Sequence, residues 1–200
     1  MPRTFSEEDK QHIRNSLLEI GKESFSHYGL KKTNIEELTK AVGISKGAFY
    51  GFFKSKEILF FEILKQEGIH RDNILDKIIE SKKSTKQSLK MTLEFGLDLI
   101  HDNLFLAEFY NEQTYAILKR KLPGNTLEAF MKTDDGLLLI FTKKLQQKPH
   151  GLKKKPLLAS GIIRSFFLLC LHKKDVGEEV FSEVMRFYID AIANNLAKGK

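Results

Sequence analysis

Apolar residues recur along the chain three and four positions apart, with no run of strand-like alternation, so the pattern predicts helices throughout. A first helix over about 6–27 carries the stripe Ile13, Leu17, Ile20 and Phe25, and Gly29 suits the left-handed residue that ends it. Thr33 then stands as the cap of a second helix, with Glu36 three residues on as the partner in a capping box, and Ile35 and Leu38 face inward. Gly43 breaks that pattern, and Ser45 is a fitting cap for a short helix through Gly47, Ala48, Phe49 and Tyr50. Ser55 caps a further start, and the helix it opens carries Ile58, Leu59, Phe60, Ile63 and Leu64 and runs to about residue 79. Two short helices joined by a glycine turn, with a third beginning behind them, is the layout of a helix-turn-helix.

Beyond residue 80 the spacing predicts helices near 85–102, 104–122, 125–147, 155–172 and 178–197. The expected fold is all-α. A three-helix helix-turn-helix domain over residues 1–54 is joined by a long helix to a second helical domain over residues 55–200. No internal repeat or low-complexity segment interrupts this plan.

Composition adjusts the picture only in places. With 200 residues and 42% hydrophobic content the chain can bury a real core. Its one cysteine, Cys170, has no intrachain partner, which fits a reducing cytoplasm. The start MPRTFSEEDKQ lacks the apolar core of a signal peptide, and the longest apolar run, 157–171, is too short and too interrupted to span a bilayer. A cytoplasmic protein without a membrane partner is therefore expected. The net charge of +7 invites a nucleic-acid reading, yet residues 1–60 hold ten Lys and Arg against eight Asp and Glu, so bulk charge proves little. The dense clusters Lys119–Lys121 and Lys153–Lys155 lie outside the motif and read as solvated helix ends or loops.

The chemistry concentrates at residues 45–50. A helix that reads DNA needs a polar first turn, small residues and side chains that donate to phosphate or touch base edges, and Ser45, Lys46, Gly47, Ala48 and Tyr50 have that character. Gly47 costs a helix about 1 kcal/mol relative to alanine, so it asks for a reason: close approach to DNA, or room for a neighbouring helix.

The stretch KTNIEELTKAVGISKGAFYGFFKSKEILF resembles the N-terminal domain of the TetR family of bacterial transcriptional regulators. Thr33, Ile35, Ala41, Gly43, Ile44, Ser45, Gly47, Tyr50, Phe52, Phe53, Lys56, Glu57 and Leu59 stand in matching order over about residues 10–62. Lys32 departs from the pattern where a first Thr usually stands, and Val42 replaces a second alanine-like residue without shifting the register. The resemblance implies a DNA-binding set of Lys32, Thr33, Ser45, Lys46, Gly47, Ala48, Phe49, Tyr50 and Lys56. Within it Thr33, Tyr50 and Lys56 hold phosphates, and Lys46, Ala48 and Phe49 face bases. Phe52 and Phe53 read instead as core.

One helix-turn-helix offers little surface for tight specific binding, so a homodimer on a palindromic double-stranded operator is expected. Apolar residues occupy nearly every face of 157–171 and a wide arc of 180–196, which suits a dimer interface through Ile162, Phe166, Leu169, Val184, Phe187, Tyr188 and Ala191. The middle of the chain is rich in aromatics that read first as core. The resemblance implies that this region holds a cavity for a small-molecule effector, with Phe95, Leu99, His101, Phe105, Phe109, Tyr110, Gln113, Phe130 and Phe141 as candidates for its lining. Repression released by an apolar or aromatic ligand is the behaviour the resemblance implies. A helical protein-interaction module or a ligand-independent DNA binder is the alternative. No metal or cofactor is expected. The six histidines lack metal spacing, no phosphate-binding glycine loop is present, and an enzyme is not expected.

Overall fold

A computed structural model describes residues 5–198, which form the helices α1 (Glu7–Lys32), α2 (Ile35–Val42), α3 (Lys46–Phe52), α4 (Lys56–Glu80), α5 (Thr85–Asp102), α6 (Leu104–Phe109), α7 (Glu112–Lys121), α8 (Thr126–Gln147), α9 (Pro156–Cys170), α10 (Lys173–Val176) and α11 (Phe181–Leu196). One antiparallel β-bridge, Leu152 to Ala197, joins the residues after α8 to the end of α11. The helix starts are chemically marked. Ser6 and Asp9 form a capping box at α1, Ser84 and Gln87 form another at α5, and Ser55 Oγ accepts from the Ile58 amide 3.3 Å away.

Packing divides the chain into two units, residues 1–67 with 104–127, and residues 68–103 with 128–200. The long helix α4 therefore contributes its first half to one unit and its second half to the other. The segment 104–127, which the sequence pattern groups with the C-terminal domain, packs with the N-terminal helices, because Phe105 closes their core.

The core of the first unit is aromatic. Phe25 of α1, Phe60 of α4 and Phe105 of α6 are fully buried, with ring centroids 5.1 Å (Phe25 to Phe60) and 4.4 Å (Phe60 to Phe105) apart. Such tilted contacts stabilise beyond the area they bury, by about 0.5–1.5 kcal/mol each. Phe49 and Phe53 seal the other end, with the Arg14 guanidinium 4.6 Å from the Phe53 ring centre.

The second unit packs α5, α9 and α11 around Leu93, Ile163, Phe166, Met185 and Ile189, with Phe141 of α8 in the same cluster. The closest approach is at Gly96, where a β-carbon would lie 2.2 Å from Cε1 of Phe167.

Several expected boundaries shift. The region expected as one helix over 104–122 is two, because the Asn111 side chain accepts from the Gln113 and Thr114 amides and starts α7 afresh. The last helix begins at Phe181 rather than 178, after the separate turn α10 and Gly177 at φ +107°. Helix α1 runs to Lys32, but Gly29 at φ 75°, ψ 162° breaks it where the sequence predicts a glycine stop.

Gly96→Ala sets two effects against each other. Alanine gains about 1 kcal/mol of helix propensity, whereas a β-carbon only 2.2 Å from an aromatic ring atom carries an overpacking cost of about 1–3 kcal/mol. The steric effect is the larger, so the denaturation midpoint of G96A is expected below that of the parent; an equal or higher midpoint would show that Phe167 swings aside freely.

Candidate nucleic-acid interface

The helix-turn-helix is built by caps. Asn34, not Thr33, caps α2, its Oδ1 accepting from the Glu36 amide at 2.9 Å. Thr33 instead closes α1, with its hydroxyl and its amide both donating to the Gly29 carbonyl, at 2.8 and 3.1 Å. That corrects two expectations. Glu36 is not a capping-box partner, and the buried Thr33 hydroxyl is spent inside the fold rather than offered to a phosphate. Two adjacent capping residues look alike in sequence, and only the backbone at Gly29 decides which belongs to which helix. Gly43, at φ 77°, makes the turn with its amide donating to the Lys40 carbonyl, and Ser45 caps α3 with Oγ accepting from the Ala48 amide at 3.1 Å.

Helix α3 is two-faced. Phe49 is 0% exposed and packs inward beside Phe53, so it cannot face bases as expected. Lys46, Gly47 and Tyr50 lie on the outer face, and Ala48 is half-buried. A β-carbon added at Gly47 would meet only Ser45 Oγ, at 3.8 Å, and one at Gly51 would meet nothing within 4 Å. No neighbouring helix needs the space at Gly47.

Around this face Lys32, Asn34, Lys46, Tyr50, Lys54 and Lys56 line one open concavity of about 540 Å³. Lys46 Nζ lies 2.8 Å from Glu36 Oε1; that hydrogen bond and the paired charge raise the Lys46 pKa and lower that of Glu36. Both partners are exposed, so the pair is weak and can open to another anion. Lys56 is held differently: its ammonium donates to the carbonyls of Lys31 (3.0 Å) and Thr33 (2.8 Å), and burial lowers its pKa. It ties the end of α1 to the start of α4.

Glu108 of α6 accepts from the Leu30 amide at 2.9 Å and from the Thr114 hydroxyl. The Leu30 amide lies one residue beyond the break at Gly29, where the helical ladder is interrupted, so the carboxylate satisfies it.

The remaining expected site residues are dispersed. Of the candidate effector pocket, Phe105, Phe109, Tyr110 and Gln113 fall in the first unit and Phe95, Leu99, His101, Phe130 and Phe141 in the second. Phe105, Phe109 and Phe141 are core, because each is buried and leaves almost no surface for a ligand. His101 is exposed, with Nε2 3.1 Å from Lys173 Nζ. Of the expected dimer residues, Phe166 is buried in its own unit, Ile162, Leu169, Val184 and Ala191 are half-buried, and Phe187 and Tyr188 stand in solvent. Leu157 and Leu158, which the sequence did not single out, are 71% and 53% exposed near the start of α9. Burial pushes the Cys170 thiol up to about 12, which disfavours its thiolate. Among the described residues, no group of three His, Cys, Asp or Glu side chains could hold a metal, and no helix is long and apolar enough to cross a membrane.

Fold and site together define a helix-turn-helix protein with a second helical unit. Residues 17–63 match the family described as bacterial regulatory proteins, tetR family. It is 36% identical over 58 residues to the HTH-type transcriptional regulator AcrR of Shigella flexneri, a match covering 29% of this chain and just 27% of that protein. It is 29% identical over 126 residues to the HTH-type transcriptional regulator QacR of Staphylococcus aureus, covering 60% of this chain and 67% of the relative. The crystal structure of the reduced form of E. coli NemR shares the fold over 94% of this chain and 100% of that one, at a TM-score of 0.73 and 16% identity.

Glu108→Ala leaves the Leu30 amide without its partner and removes a charged acceptor from Thr114, and is expected to lower stability by about 1–3 kcal/mol. Hydrogen exchange at the Leu30 amide should accelerate more than exchange in α5 or α11. Uniform exchange across both units would contradict this local role.

Proposed function

We propose that this chain is a DNA-binding transcriptional repressor that holds a palindromic operator as a homodimer in the cytoplasm and lets go when a small apolar or aromatic molecule binds its helical second unit. The observation that carries the DNA reading is the outer face of α3. Glycine at 47 weakens a seven-residue helix and makes room for nothing inside the protein. It leaves the backbone bare beside Lys46 and Tyr50, where a duplex can approach closely. Tyr50, 48% exposed, offers a hydroxyl to phosphate; Lys46, released from Glu36, reaches base edges or backbone; Ser45 and Lys32 flank them. Lys56 serves mainly as a positioning residue, since two carbonyls already occupy its ammonium.

Selection of bound DNA from a random pool tests the reading directly. A protein-interaction module that merely shares the fold enriches no sequence. Gly47→Ala is the sharper variant, because the two readings disagree on it. With no clash to oppose it, alanine should stabilise the fold by about 0.4–1 kcal/mol, yet its methyl should weaken DNA binding. Tyr50→Phe should weaken binding to all sequences alike, and Lys46→Ala should change sequence preference. A G47A protein that is more stable and binds DNA unchanged would remove the argument from α3.

The dimer rests on an apolar surface that the second unit leaves open. Leu157, Leu158 and Leu168 of α9 and Phe187, 70% exposed, with Tyr188 of α11 lie on two helices that pack against each other. Large apolar side chains grouped in this way mark an interface. A second copy covers them by symmetry, and a palindromic operator offers such a pair two half-sites about 34–36 Å apart. Phe187→Glu is expected to give a monomer in sedimentation analysis and to lose operator affinity, whereas a dimer surviving that charge would place the interface elsewhere. Phe95 and Leu99, half-buried on α5, remain candidates for the effector site. The effector reading is tested by thermal shift with apolar and aromatic compounds, scored for operator release.

A further inference from the structure

We infer that the last turn of α7, through Arg120 and Lys121, is a second phosphate-binding edge that continues the DNA face past Lys56. The inference rests on the DNA reading above and adds an element that lies more than sixty residues beyond the helix-turn-helix motif.

The placement comes from the packing of the first unit. Helix α7 belongs to that unit, and one of its faces, Gln113, Ala116, Ile117, Arg120 and Lys121, forms a wall of a concavity of about 450 Å³. The opposite wall is Lys31 at the end of α1 with Lys56 and Glu57 at the start of α4. Lys56 and Glu57 also line the concavity in front of α3, so the two hollows adjoin, and cations follow one another from Lys46 through Lys56 to Arg120. Four cations, Lys31, Lys56, Arg120 and Lys121, share the second hollow with one carboxylate, Glu57. Arg120 and Lys121 are exposed.

Two simpler accounts fall short. Cations in the last turn of a helix complement its dipole, which explains a basic run at Lys119–Lys121 but not its position opposite Lys31 and Lys56. A solvated basic surface would gain by spreading its charges beyond the screening length of about 8–10 Å. Here the fold gathers them around one hollow, which a polyanion completes. The platform is also fixed: Glu108 joins the Leu30 amide of α1 to the Thr114 hydroxyl of α7, so the helix is tied at its start to the end of α1. An arginine and a lysine held this way suit the regularly spaced phosphates of a duplex, which they would neutralise with release of counterions.

The test compares the full-length protein with Arg120→Gln plus Lys121→Gln on its selected operator. Each lost phosphate contact should lower the salt slope of log K by about 0.9. The double variant is expected to lose about 1.8 per protomer and to bind more weakly at low salt by on the order of tenfold, with its sequence preference unchanged. Ethylation interference should lose one or two phosphates beside those read through α3. A second variant, Ala116→Glu, places an anion in the same hollow without removing a cation and should weaken binding in the same way. The inference is overturned if the glutamine variant, with an unchanged melting temperature, keeps the parental slope and interference pattern while Tyr50→Phe loses affinity; the DNA reading then stands without it. If the parent selects no DNA at all, both fall together.

Discussion

The end of α1 is the joint on which the first unit depends. Within five residues, Gly29 leaves helical geometry, the Leu30 amide is taken by Glu108, and the carbonyls of Lys31 and Thr33 receive the Lys56 ammonium. Three elements distant in sequence, α1, α4 and α6, meet at backbone groups that a straight helix would have kept for itself. Buried or half-buried backbone groups of this kind need partners. Satisfying them fixes where α2 starts, hence where α3 lies, and also where α7 stands relative to both.

The same joint assigns different work to residues that look alike. Lys46, Lys56 and Arg120 are all cations near one surface. Lys46 is paired with an exposed carboxylate and can exchange partners at little cost. Lys56 is partly desolvated and engaged by two carbonyls, so its removal would move the scaffold as well as a charge. Arg120 is exposed and belongs to a helix positioned by others. A loss of DNA affinity on substituting Lys56 thus says less about phosphate contact than the same loss at Tyr50.

Glycines show how one residue type serves opposite ends. At Gly96 the missing side chain is filled by Phe167 within the second unit. At Gly47 nothing in the chain fills it. A vacancy used internally is explained by packing, and one left open on an outer face points outside the molecule.

Periodicity, the glycine turn and two of the caps were legible from the chain alone, because they depend on neighbours within a few residues: Ser45 before α3, Gly43 in the turn, Ser55 before α4 and the all-helical plan needed no tertiary knowledge. The order of small, hydroxyl and aromatic positions over residues 33–59 carried the family resemblance for the same local reason. What the chain could not disclose was which face each residue presents and which distant groups meet. Phe49 turns inward, Thr33 spends its hydroxyl on Gly29, Phe105 leaves the expected pocket for the aromatic core of the first unit, and Arg120 comes to stand across from Lys31. Those outcomes depend on contacts between residues far apart in sequence, and only the closing of the core around Phe25, Phe60 and Phe105 decides them.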